Sequence, residues 1–309
     1  MYYNKLNNIK EFVDKPFPYS TSDCIADKDG VKTYLWSAND TKESFKDNLK
    51  EWGEYLEYWK DRSIEYTINT SGYRCDFNFP DKKVKEKVDV FIGCSITYGV
   101  GVTKESTFVD LFSKYTGNKT INLGISGTGI EMSYISLLKI MNSYDVRNVF
   151  FFLPVYPRYY FYIGQHPAAH QTFMFNQGWD FYKSYSHRPF TESFFKGSLA
   201  DGSFMEYTYQ RGLDAIYGLC KKKKVKLINW LDYDDFQYMW AETVDKYLFF
   251  YNSWPKIRKR VDFIEGSTVA RDLIHPGIDA HRLIADSMIK IYKKKFIKTK
   301  QLKLWDKSI

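Results

Sequence analysis

Apolar residues recur along this chain in two rhythms. Leu49, Trp52, Tyr55, Leu56 and Trp59 return at three- and four-residue steps, which predicts one amphipathic helix capped by Asn39-Asp40-Thr41. Residues 1–38 hold Pro16, Pro18 and Asp27-Lys28-Asp29-Gly30 with few periodic apolars, and so read as irregular. Residues 63–69 alternate as a strand does, and 81–87 form a charged link. Beyond that link, short unbroken apolar runs alternate with helical patterns. Residues 88–92, 119–123, 149–153 and 225–230 read as strands. Residues 107–115, 130–144, 213–222 and 276–292 read as helices. Ile135, Leu138 and Met141/Asn142 mark the expected inner face of the second helix, and Ile284, Met288 and Ile291 that of the last. Strands alternating with helices imply an α/β fold of three layers, α/β/α, around a mostly parallel sheet. Ligands of such sheets bind beyond the carboxyl ends of the strands.

Two stretches interrupt the rhythm, at about 154–212 and 232–268. The first is aromatic: between Phe150 and Tyr185, 14 of 36 residues are Phe, Tyr or Trp, about twice the chain's share of 19%. Such a cluster is either a second small core or the lining of a pocket for an acyl chain or a sugar ring. The division expected is an N-terminal extension (1–85) packed on a core domain (86–295), then a basic tail (296–309).

The net charge of +8 suggests a nucleic-acid partner until it is located. Residues 290–309 contain eight Lys and one Asp, which accounts for +7 and leaves the body nearly neutral, so no nucleic-acid partner is expected. Cys24, Cys75, Cys94 and Cys220 are far apart and form no CxxC pair, which argues against a zinc site or a disulfide framework. No apolar run is long enough to span a membrane, and the first residues lack a signal-peptide core. A soluble cytoplasmic or otherwise intracellular protein is the expectation.

The candidate chemistry sits in two short stretches. Gly93-Cys94-Ser95-Ile96-Thr97 places a serine on the turn leaving the first buried strand. Asp272-Leu273-Ile274-His275-Pro276 places a carboxylate and an imidazole three residues apart before the last helix. A serine becomes a nucleophile when a base takes its proton and an acid orients that base. The nucleophile elbow of α/β-hydrolases has the same order but needs Gly where this chain has Thr97.

These stretches resemble the SGNH (GDSL) hydrolase superfamily over roughly residues 86–295. Its first block, Gly-Asp-Ser-x-Thr/Ser-x-Gly, is similar to Gly93-Cys94-Ser95-Ile96-Thr97-Tyr98-Gly99, with Cys94 in place of Asp. Asn122-Leu123-Gly124-Ile125-Ser126-Gly127 resembles the second block, and Asp272 to Pro276 matches the last, Asp-x-x-His-Pro. Ile68-Asn69-Thr70-Ser71-Gly72-Tyr73-Arg74 resembles a segment that precedes the first block in some members. The third block, Gly-x-Asn-Asp, is missing: Leu153-Pro154-Val155-Tyr156-Pro157-Arg158 stands there, with Tyr156 near the position of an oxyanion-hole asparagine.

The resemblance implies Ser95 as nucleophile, His275 as general base and acid, and Asp272 as its orienting carboxylate. It implies an oxyanion hole from the backbone N–H groups of Ser95 and Gly127, with Tyr156 or Arg158 as a substitute third donor. Tyr156, Arg158 and Tyr159 are the candidate substrate contacts. Such a triad needs no metal or organic cofactor. The expected partner is a small-molecule or glycan ester, and the expected activity is that of an acyl or acetyl esterase. The alternatives are a weakly catalytic carbohydrate-binding or structural module on the same scaffold, and an acyltransferase with the same triad. Three other features read as background: His166 and His170 at helical i, i+4 spacing without a third ligand, Asp232, Asp234 and Asp235 as a solvated loop, and the glycine-rich run 124–129 without the lysine of a phosphate loop.

Overall fold

The computed structural model describes residues 30–37, 40–154, 158–162, 170–174, 203–230, 250–251 and 269–296. Among these residues five parallel strands form the central sheet: β3 (Lys87–Gly93), β4 (Thr120–Gly124), β5 (Asp145–Phe152), β8 (Lys226–Trp230) and β9 (Phe250–Tyr251), in the order β4-β3-β5-β8-β9. Two antiparallel ribbons stand outside it. One joins β1 (Lys32–Tyr34) to β2 (Tyr66–Ile68), the other β6 (Arg158–Tyr162) to β7 (His170–Met174). The helices are α1 (Lys42–Trp52), α2 (Ser95–Tyr98), α3 (Phe108–Thr116), α4 (Ile130–Ser143), α5 (Ser203–Lys223) and α6 (Ile278–Phe296).

Alternation within the strands builds two cores. Val88, Val90 and Ile92 of β3, with Val149 and Phe151 of β5, pack on Leu137 and Ile140 of α4 and Leu213 and Ile216 of α5. Phe91, Phe150 and Phe152 point the other way, onto Phe108 and Phe112 of α3 and Ile284 and Met288 of α6. Phe91 and Phe150 are register partners across β3 and β5, and their rings stack at 4.6 Å. Both faces of the sheet are therefore covered, which is why its strands read as unbroken apolar runs. The result is the expected three-layer α/β/α arrangement.

Several element boundaries differ from the pattern's prediction. The stripe from Leu49 to Trp59 is not one helix: α1 ends at Trp52, and Trp59 belongs to a separate 3-10 turn, Glu57–Trp59. The inner face of α4 is Ile130, Met132, Ser133, Ser136, Leu137, Ile140 and the expected Met141, whereas Ile135 and Leu138 are only half-buried. Two serines on that face hid it from a hydrophobic count. α5 begins at Ser203, ten residues earlier than Leu213, inside the stretch read as an insertion. Phe250–Tyr251, inside the second stretch, supplies a fifth strand.

The N-terminal segment has its own core. Phe45, Leu56, Trp59, Ile64, Tyr66 and Ile68 pack with Tyr98 at the end of α2, with Val100 and Val102 just after it, and with Ala270. Leu273 and Ile278 pack against the same cluster. Among the described residues no helix is long and apolar enough to cross a membrane.

Candidate active site

A parallel sheet in this strand order reverses direction of winding at β3 and β5, and that crevice is where such sheets bind ligands. The chain leaves β3 at Gly93 and turns at once into α2, so Ser95 stands at the carboxyl edge of the sheet. Gly93 sits at φ 155°, and a Cβ there would meet Thr97 Oγ1 at 2.3 Å and the Phe152 carbonyl at 2.6 Å. Only glycine fits that close a turn beside β5. Gly99 at φ 82° ends α2, its N–H donating to the Ser95 carbonyl at 2.9 Å.

The second block braces this turn. Asn122 Nδ2 donates to the Thr97 carbonyl at 2.7 Å, and Asn122 Oδ1 accepts from Gly124 N–H at 2.9 Å. A Cβ on Gly124 would lie 2.3 Å from the Tyr98 nitrogen, so β4 reaches α2 only as glycine. Ile125 N–H donates to the Gly93 carbonyl, which brings the glycine-rich turn alongside. Gly127, at φ 76°, has nothing within 4 Å of the position a Cβ would take. Among the described residues, the N–H groups of Ser95 and Gly127 donate to no backbone carbonyl.

Arg74 closes the turn from behind. Its guanidinium is buried and donates to the carbonyls of Tyr98, Gly99, Val102 and Glu65 at 2.5–3.2 Å, and it lies over the Tyr66 ring at 4.5 Å. The segment 68–74 is thus a brace: Asn69 Oδ1 accepts from Ser71 and Tyr73 N–H, folding the loop that carries Arg74 inward.

Asp272 and His275 form a pair. His275 Nδ1 lies 2.5 Å from Asp272 Oδ2, while Asp272 Oδ1 accepts from the N–H groups of Ile274 (3.2 Å) and His275 (3.1 Å). One carboxylate oxygen folds the loop and the other orients the imidazole. A carboxylate accepts, so Nδ1 is the nitrogen that donates to it, and in the neutral ring Nε2 is then left with the lone pair that a general base requires. Between them Leu273 sits at φ 58°, a left-handed conformation unusual for a branched side chain. Pro276 holds His275 out of helical geometry ahead of α6. Asp272 is buried, and Ile274 is 78% exposed beside the imidazole.

The structure does not join Ser95 to this pair by a hydrogen bond. Ser95 Oγ donates instead to Cys94 Sγ at 3.8 Å. Cys94 therefore supplies the acceptor beside the serine at the position where Asp stands in the first block. Tyr156, the candidate third donor, lies outside the described residues; Arg158 and Tyr159 begin β6, next to the end of β5. His166 and Asp232, Asp234 and Asp235 also lie outside them. His170 opens β7, in extended backbone. Among the described residues no group of three His, Cys, Asp or Glu is placed to hold a metal ion.

Sequence reasoning missed the supports of the Asp272 loop. Trp59 Nε1 donates to the Val269 carbonyl at 2.7 Å, and Asn48 Nδ2 to the Asp272 carbonyl at 3.4 Å. Arg271, next to the acid, forms a buried ion pair with Asp40. No local signal marks these partners, because they lie 210 to 231 residues away in sequence.

No protein-family profile matches the sequence, and no curated protein matches it. Solved structures that the chain is similar to include esterase EstA from Pseudoalteromonas sp. (14% identity, 67% of this chain and 97% of that one, TM-score 0.42). They also include a protein of the G-D-S-L family from Desulfitobacterium hafniense (12%, 67% and 99%, 0.39) and the acetylxylan esterase Axe2 from Geobacillus stearothermophilus (13%, 71% and 100%, 0.39). At that distance the chemistry has to be read from this chain's own residues.

Proposed function

We propose that the chain is a divergent member of the SGNH hydrolase superfamily and acts as a serine-dependent ester hydrolase. The observation that carries this reading is the Asp272–His275 pair, with Nδ1 facing the carboxylate, in a chain whose serine turn leaves the central strand β3. Ser95 Oγ attacks the acyl carbonyl while His275 Nε2 takes its proton. The N–H groups of Ser95 and Gly127 receive the oxyanion. His275 returns the proton to the leaving alkoxide, and the alcohol departs from an acyl-Ser95. Water, deprotonated by the same imidazole, then releases the acid and restores Ser95. Asp272 holds the ring and stabilises the imidazolium formed in each half. Tyr156, Arg158 and Tyr159 are the substrate contacts of this reading, and a short acyl ester, free or on a glycan, is its substrate.

The test is hydrolysis of short p-nitrophenyl esters by the wild type and Ser95→Ala. The reading expects turnover that the substitution abolishes; equal rates in both refute it. One observation favours the second reading, a binding module: the hydrogen bond of Ser95 goes to Cys94 rather than to His275. Catalytic hydrogen bonds are often loose in a free enzyme and tighten on substrate, which keeps hydrolysis in front. Glycan binding without turnover selects the module. Acyl transfer to an added polyol, read by product analysis, selects the transferase.

A further inference from the structure

Asp272 needs holding from outside its own loop, because its two oxygens do different work and the adjoining Leu273 is strained. The support comes from the first third of the chain. Arg271 Nε donates to both oxygens of Asp40 (2.9 and 3.1 Å), and Nη2 to Asp40 Oδ2 (2.7 Å) and the Leu35 carbonyl (2.8 Å). The guanidinium also lies on the Trp36 ring at 4.0 Å, and the two charged side chains are 2% and 1% exposed. Asp40 Oδ2 accepts in addition from the Tyr66 hydroxyl at 2.5 Å. The Tyr66 oxygen accepts from Gly101 N–H at 2.9 Å, and the Gly101 carbonyl accepts from Arg271 N–H at 2.8 Å. Asp40, Tyr66, Gly101 and Arg271 thus close a ring. One side of the ring is six residues past Ser95 and the other is joined by a peptide bond to Asp272.

A buried ion pair is a poor route to stability, since apolar residues of equal volume often serve as well or better. What it supplies is fixed geometry, because a bidentate guanidinium admits one orientation. We infer that Arg271, locked by Asp40, is a positioning residue that sets the Asp272 carboxylate against His275, so that the segment from Asp40 to Arg74 belongs to the catalytic apparatus. This rests on the esterase reading for its kinetic consequence, though not for its structural one.

The test uses the full chain labelled with ¹⁵N-histidine, as wild type, Asp40→Asn and Arg271→Lys. The low-field Nδ1 proton of His275, assigned by its loss in His275→Gln, reports the contact with Asp272 whatever the activity. The wild type is expected to show it, and both variants to shift or lose it while staying folded by circular dichroism. With p-nitrophenyl acetate, kcat should fall roughly 10- to 100-fold with KM held within about twofold, as a small misplacement of a catalytic group does. Absence of the resonance from the wild type overturns the inference. So does a folded variant with an unchanged resonance, or with an unchanged kcat in an active enzyme. If Asp40→Asn and Arg271→Lys do not fold, Tyr66→Phe, which keeps the volume and removes the ring's hydroxyl, is judged by the same criteria. A wild type that shows the resonance but hydrolyses no ester refutes the esterase reading alone, and the resonance in the variants still decides the positioning.

Discussion

Replacing His281 by Asn removes a group that ties the stability of this fold to pH. His281 lies on α6, fully buried, with its ring stacked on Phe108 at 5.6 Å. Its Nδ1 accepts the N–H of Phe108, one of the unpaired donors at the start of α3, at 3.2 Å. Protonating Nδ1 breaks that bond and buries a charge near the positive end of a helix. Burial first, then the charges of Arg74 and His275, push the imidazole down to about 3. The unfolded chain takes up that proton near pH 6.5, so it binds more protons than the folded chain between about 6.5 and 3. Stability is then full above the unfolded value and falls as the pH drops through that window. The slope is about 1.4 kcal/mol per pH unit, which makes the loss about 2 kcal/mol between pH 7 and pH 5. Asn keeps an acceptor where Nδ1 was and does not titrate, at a pH-independent cost in lost ring packing. Urea unfolding of both proteins at pH 7 and pH 5 reads the difference. The wild type should lose about 2 kcal/mol more than His281→Asn over that step. Parallel losses would refute the claim that a neutral, buried His281 sets the acid limit.

Three further substitutions probe the site and its scaffold. Asp272→Asn should lower kcat by about 10³–10⁴ with little change in fold, because an amide no longer selects the Nδ1–H tautomer; rates within tenfold of wild type contradict that role. Gly101→Ala should destabilise by about 2–3 kcal/mol in thermal unfolding. Its Cβ would sit at φ 73°, 2.9–3.0 Å from Ala270 Cβ, Arg271 N and Asp272 Oδ1, so activity should fall with stability. Arg74→Lys should cost about 2–4 kcal/mol, since an ammonium cannot reach the four carbonyls that the planar guanidinium binds; a change under 1 kcal/mol would show that the brace is dispensable.

What the sequence revealed follows from the range over which each interaction acts. The strands were legible because Val88, Val90, Ile92, Val149 and Phe151 are buried by a sheet covered on both faces. The cap of α1 was legible because Thr41 accepts from Ser44, three residues on. The Asp272–His275 pair was legible for the same reason, its partners being three residues apart. The break after Trp52 was not, because the stripe from Leu49 to Trp59 is apolar on either side of Gly53 and a turn preserves its spacing. Asp40 could not be recognised as the partner of Arg271, since next to Thr41 it reads as part of a helix cap. Cys94 read as a loss of the family's Asp, whereas its sulfur takes the Ser95 hydroxyl.

A Ser95 nucleophile activated by His275 is the core of the proposed hydrolase. Covalent labelling by a fluorophosphonate, read by mass spectrometry of the intact chain and its peptides, tests it most directly. A single adduct on Ser95, absent from Ser95→Ala and slowed strongly in His275→Ala, is expected. An unlabelled wild type, or an adduct on any other residue, would contradict it.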